Sequence, residues 1–173
     1  MHLGYVSLFG RGRTDACLAA AADRLTAEGV ALAGCVPYGP ADCDAHPCDM
    51  DLRVLPAGPE LRISQTLGAE ARGCRLDGAV VEQAAVLTAN RLDGAALLIL
   101  NKFGKLEAAG RGFVPVIAEA LDRGLPVVVG VNVQNLPAFL DFAGGMAQEL
   151  PPDAGAVTDW VAAALRLPAT PAL

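Results

Sequence analysis

An α/β fold, with a mostly parallel sheet held between two layers of helices and one small β-hairpin at its edge, is what this sequence predicts. Three observations carry the expectation. A short apolar strand runs through a glycine turn straight into a helical stretch near the amino terminus, continuous apolar runs alternate with amphipathic stretches along the chain, and the strongest apolar run delivers a polar, basic segment. Strands that read as unbroken apolar runs are those buried on both faces of a parallel sheet.

The elements follow in order. Leu3 to Leu8 reads as a buried strand, Phe9-Gly10-Arg11-Gly12-Arg13-Thr14 as the turn, and Asp15 to Glu28 as a helix stopped by Gly29. Val30 to Val36 is a second buried strand. Pro37 to Pro47 lacks periodicity, and Met50 to Leu55 with Leu61 to Gln65 alternate around a Pro-Ala-Gly-Pro turn, as a hairpin does. Asp77 is placed to cap a helix reaching Leu92, with Leu76, Val80, Ala84 and Leu87 on its apolar face. Ala95 to Leu100 is the strongest strand and ends in Asn101-Lys102-Phe103-Gly104-Lys105. A helix from Phe113 to Arg123, a strand from Pro126 to Val131 and helices near Leu136 to Phe142 and Ala154 to Leu165 complete the pattern. We expect one domain over residues 1–167 and a frayed tail over 168–173.

Composition bounds the function. The 173 residues are 53% hydrophobic and 18% charged, the balance of a packed globular chain. No apolar run approaches the roughly 18 residues of a membrane span, and no basic segment followed by an apolar stretch opens the chain, so a cytoplasmic protein without membrane insertion is expected. A net charge of −6 argues against a broad nucleic-acid surface. A small local basic site is compatible with it.

Two segments carry candidate chemistry. The run Ser7-Leu8-Phe9-Gly10-Arg11-Gly12-Arg13-Thr14 is a degenerate form of the phosphate-binding pattern Gly-x-x-x-x-Gly-Lys-Ser/Thr. Backbone amides and a helix amino terminus suit an anion there, and arginine grips tetrahedral anions bidentately. Ser7 stands at the first glycine and Arg13 at the lysine, whose slender stem the guanidinium fork does not reproduce. An ordinary glycine turn fits the same residues. In the second segment, Asn101 and Lys102 stand where a phosphohydrolase of this type has an acid for magnesium and another to activate water. A neutral amide holds magnesium poorly, and a protonated lysine is no base. Glu107 is the nearby carboxylate that could substitute for them. Asn101-Lys102 also starts like the guanine-reading Asn-Lys-x-Asp motif, but Gly104 occupies its aspartate.

Gly73-Cys74-Arg75-Leu76-Asp77, Asn101 to Gly112 and Pro126-Val127-Val128 resemble a bacterial family, domain of unknown function 2478, over nearly the whole chain. Members are often encoded beside molybdate transport genes. The family in turn is similar to small P-loop nucleoside triphosphatases, whose Asp-Glu-Ile-Gly-Lys-Met-Glu segment matches Asn101 to Glu107 in length and glycine position. The resemblance implies a P-loop fold. It also implies a nucleotide or molybdate as ligand and an accessory role in molybdenum metabolism.

The five cysteines, without an export signal, read as reduced thiols. Cys43, His46 and Cys48 form a weak metal-ligand cluster, short of the four ligands of a closed zinc site. Cys74, beside Arg75 and before a helix, is the candidate reactive thiol, and Cys17 and Cys35 read as core. Three functions remain open from sequence. One is a binding protein whose Gly10, Arg11, Gly12, Arg13, Thr14, Asn101, Lys102, Lys105 and Arg111 hold a tetrahedral oxyanion or nucleotide phosphate. Another is a magnesium-dependent nucleoside triphosphatase using Thr14 and Glu107. The third is a scaffold for a protein partner or a second copy of the chain.

Overall fold

A computed structural model describes residues 2–10, 12–38, 51–63 and 77–166. Strand β1 (Leu3–Val6) leads into helix α1 (Arg13–Ala27), then β2 (Leu32–Tyr38), β3 (Asp51–Leu55), β4 (Glu60–Arg62) and α2 (Gly78–Ala89) follow. Strand β5 (Leu97–Phe103), the one-turn α3 (Lys105–Ala108), α4 (Val114–Asp122), β6 (Val127–Val131), α5 (Leu136–Ala143), β7 (Ala147–Glu149) and α6 (Ala154–Arg166) complete the order. Seven strands make one sheet in the order β4-β3-β2-β5-β6-β1-β7. The five strands from β2 to β7 in that order are parallel, and β3 and β4 add the antiparallel hairpin beyond β2.

Alternation along the strands divides the core into two layers. Leu97 and Ile99 of β5 pack with Leu18 and Leu25 of α1 and Val157 and Val161 of α6. Leu98 and Leu100 point the other way, toward Val81 of α2, Ile117 of α4 and Phe139 of α5. This is the three-layer architecture that the alternating pattern predicts.

Three differences from the sequence pattern have physical reasons. The polar segment after Leu100 does not end β5, which continues through Asn101-Lys102-Phe103 with a register irregularity against β6 between Leu100 and Phe103. Leu100 and Phe103 lie in the same core layer although three residues apart, which a bulge with its extra residue allows. Strand β7 pairs with β1 at the sheet edge and was not legible, because Ala-Gln-Glu has no apolar run and edge strands are often short and polar. Helix α2 buries Val81, Ala84, Ala85 and Thr88, with Val80 and Leu87 only half-buried; Leu76 lies outside the described residues. Thr88 is tolerated in that face because its hydroxyl lies 3.4 Å from the Cys35 thiol.

Gly130 of β6 fixes how closely α1 approaches the sheet. A Cβ there would fall 2.1 Å from the Asn101 carbonyl oxygen, 2.7 Å from Leu18 Cδ1 and 3.0 Å from Thr14 Cγ2. The first turn of α1 therefore sits directly on the sheet beside the bulge of β5.

Candidate functional site

The junction between β1 and α1 is built from backbone. Gly10 and Gly12 have φ values of 105° and 72°, a region that costs other residues steric strain. Gly12 is the residue before the helix, and no side chain caps the amides of the first turn. The Leu8 amide donates to Thr14 Oγ1 at 3.2 Å, closing the loop across its base. Gly10, Gly12 and Arg13 are exposed on it, and Thr14 is half-buried. Ser7, at the motif's first position, has a buried Oγ without a hydrogen-bond partner among the described residues. Arg11 lies outside the described residues.

Lys102 reaches this junction from β5, across the intervening β6. Its ammonium lies 3.8 Å from Asp15 Oδ2 in the first turn of α1. Asp15 is the participant that motif reading missed, because an acid in a first helical turn is ordinary by itself. Burial pushes its carboxyl above the usual carboxylate range, and the positive charge of Lys102 opposes that rise without cancelling it. Arg13 and Lys102 thus belong to one end of the sheet, but Lys102 is already engaged with a carboxylate.

The junction after β5 is organised differently. Asn101 is 4% exposed, and its Oδ1 has no hydrogen-bond partner among the described residues. Glu107 is buried and accepts from the Gly104 amide at 2.9 Å and the Phe113 amide at 3.1 Å. Its carboxylate binds the turn together, a structural task that the sequence did not reveal because both partners are backbone. Lys105 is exposed at the start of α3. Arg111 pairs with Glu82 at 3.4 Å, and the same Glu82 oxygen accepts the Gly112 amide at 3.1 Å.

Cys43, His46, Cys48 and Cys74 lie outside the described residues. Among the described residues no group of three or more His, Cys, Asp or Glu is placed to hold a metal ion. No helix among them is long and apolar enough to cross a membrane. Cys35 is buried with its thiol pushed up to about 11 by burial, and Cys17 is half-buried against the core.

Comparison with known proteins places the architecture. The solution structure of a human cancer-related nucleoside triphosphatase matches it with a TM-score of 0.61, covering 94% of this chain and 96% of that one. At 16% identity the likeness is one of fold: the chain has the α/β fold of P-loop nucleoside triphosphatases. Over 137 residues, 79% of the chain, it is 34% identical to the molybdenum import ATP-binding protein ModC 2 of Bradyrhizobium diazoefficiens, of whose length the match spans 15%. The family model described as protein of unknown function DUF2478 matches residues 4–160, and the chain belongs to that family.

Proposed function

We propose that the β1–α1 junction binds the phosphates of a nucleotide and that the chain hydrolyses them slowly or not at all. The observation that carries this is the exposed loop shaped by Gly10 and Gly12, which opens a fifteen-residue helix with no side-chain cap on its first amides. Uncapped amides at a helix amino terminus form an anion site, and Arg13 stands exposed on it as a charge-assisted donor. The weak side of the site is hydrolytic. Asn101 supplies a neutral amide where an acid would hold magnesium, Lys102 supplies a cation engaged by Asp15, and both Glu107 oxygens already accept backbone amides.

A tetrahedral oxyanion is the second reading, and the name of the Bradyrhizobium relative makes molybdate the anion to try. In that reading the chain is an accessory of molybdenum metabolism. Calorimetric titration with ATP, GTP, molybdate and sulfate, each with and without magnesium, separates the two. Phosphate release is followed on the same samples. The expected result is nucleotide binding with turnover below about 1 per second, the lower end of ordinary enzymatic rates. Faster magnesium-dependent turnover refutes the non-hydrolytic reading, and absence of binding by all four ligands refutes the site. Restoring two acids with Asn101→Asp and Lys102→Glu reports whether their loss limits hydrolysis.

A further inference from the structure

A cavity of about 60 Å³ opens beside the bulge of β5, in the core layer of α2 and α4. Cys35, Leu52, Ile63, Val81 and Phe113 form its apolar walls. Protein interiors are close-packed, with few voids larger than a water molecule, so a space of this size among buried side chains is a feature to account for. Asn101 also lines it, more than nine-tenths buried, with an Oδ1 that no group among the described residues satisfies. Buried carbonyl oxygens of this kind are normally hydrogen-bonded.

We propose that this cavity is a second ligand site, taking a compact uncharged group that has an apolar stem and one N–H or O–H to donate to Asn101 Oδ1. The chemistry of the lining sets the class. Glu107 lines the cavity, but its oxygens accept the Gly104 and Phe113 amides, and Lys102 lines it with an ammonium placed at Asp15. Both charges are thereby engaged, and a charged group entering the apolar walls would lose hydration without a counter-ion. The Cys35 thiol faces the Thr88 hydroxyl, so it contributes a wall. Size narrows the class further. A water takes roughly 30 Å³ of liquid and a benzene-binding cavity has about 150 Å³. This space therefore fits a carboxamide or hydroxymethyl head and excludes an aromatic ring. The site does not depend on the phosphate reading, since none of its walls belongs to the β1–α1 loop.

The test uses the full chain with labelled Ile, Leu and Val methyl groups, titrated separately with acetamide, acetone and acetate, each small enough for a space of about 60 Å³. These share a shape and differ in donor and charge. The expected result is saturable shifts at Ile63, Val81 and Leu52 with acetamide, at least tenfold weaker binding of the ketone, and none of acetate. Val81→Phe, which fills the space, should abolish the response, and Val81→Met serves if the larger residue does not fold. Asn101→Leu should remove the preference for amide over ketone. Equal response to all three probes, no saturable shift with any, or an unchanged response in the filled variant overturns the proposal.

Discussion

Two strand–turn–helix junctions lie at the same end of the sheet and treat their backbone amides in opposite ways. After β1, the amides opening α1 have no side-chain cap and lie beside exposed Gly10, Gly12 and Arg13. After β5, Glu107 accepts the Gly104 and Phe113 amides and Glu82 accepts that of Gly112. The second junction carries its anions within the chain. The first leaves the position for one to come from outside. Basic residues alone do not distinguish the two, since Arg13 marks one and Lys105 and Arg111 the other. What distinguishes them is whether a carboxylate already occupies the amides.

The comparison breaks most visibly if the internal anion of the second junction is removed. Glu107→Ala strands two amides that a buried carboxylate now satisfies, and hydrogen bonds to charged groups contribute roughly 1.5 to 3 kcal/mol each. A loss of about 3 kcal/mol or more in urea unfolding is expected, with Glu107→Gln losing less because its carbonyl oxygen keeps one bond. A loss under about 0.5 kcal/mol, the usual range of surface changes, would show that Glu107 does not hold this turn.

A smaller effect tests the open junction. Arg13→Ala should weaken ATP binding about tenfold, because one charge-assisted contact is worth at least the 1.4 kcal/mol that a factor of ten represents. Lys105→Ala, at the junction whose amides are taken, should change it less than about twofold. If the two variants weaken binding equally, the anion sees only general positive charge and the distinction between the junctions fails.

The same contrast explains how much the sequence revealed. The strands and helices around the sheet were legible because apolar runs such as Leu97-Leu98-Ile99-Leu100 report burial directly, and Asp77 was legible as a cap because its side chain accepts the Ala79 and Val80 amides locally. The glycine loop was legible because positive φ demands glycine at Gly10 and Gly12. Asp15 was not, since its meaning comes from Lys102, which arrives from a strand 87 positions later and two places away in the sheet. The backbone bonds of Glu107 were not legible either, because a carboxylate bonded to backbone has no side-chain partner to announce it. Bulges escape pattern reading too, and the one in β5 carried Asn101 and Lys102 into the strand.

The smallest and sharpest effect concerns Asp15, a carboxylate at the open junction. Its negative charge lies in the turn where an anion would bind, and it engages Lys102 at 3.8 Å. Asp15→Asn removes the repulsion and releases the ammonium, so sulfate, which keeps its charge across the mildly acid range, should bind about fivefold more tightly near neutral pH. That corresponds to roughly 1 kcal/mol, the scale of a charge pair a few ångströms apart in a solvated setting. Added salt should shrink it. The pH dependence has a defined sign. Burial holds the Asp15 proton in the folded chain above the ordinary value of 3.8, so the folded state binds more protons than the unfolded one in that window. Its contribution to stability is therefore greatest below 3.8 and declines as pH rises through the folded value. Sulfate affinity should fall over the same rise, as the carboxylate ionises and takes up Lys102. Because other carboxylates titrate nearby, the measurement is the difference between the wild type and Asp15→Asn across the acid range. The gap in sulfate affinity should open with rising pH and close at the acid end. A gap independent of pH would mean that the charge of Asp15 does not change across this range, and the coupling of its protonation to anion binding would fail.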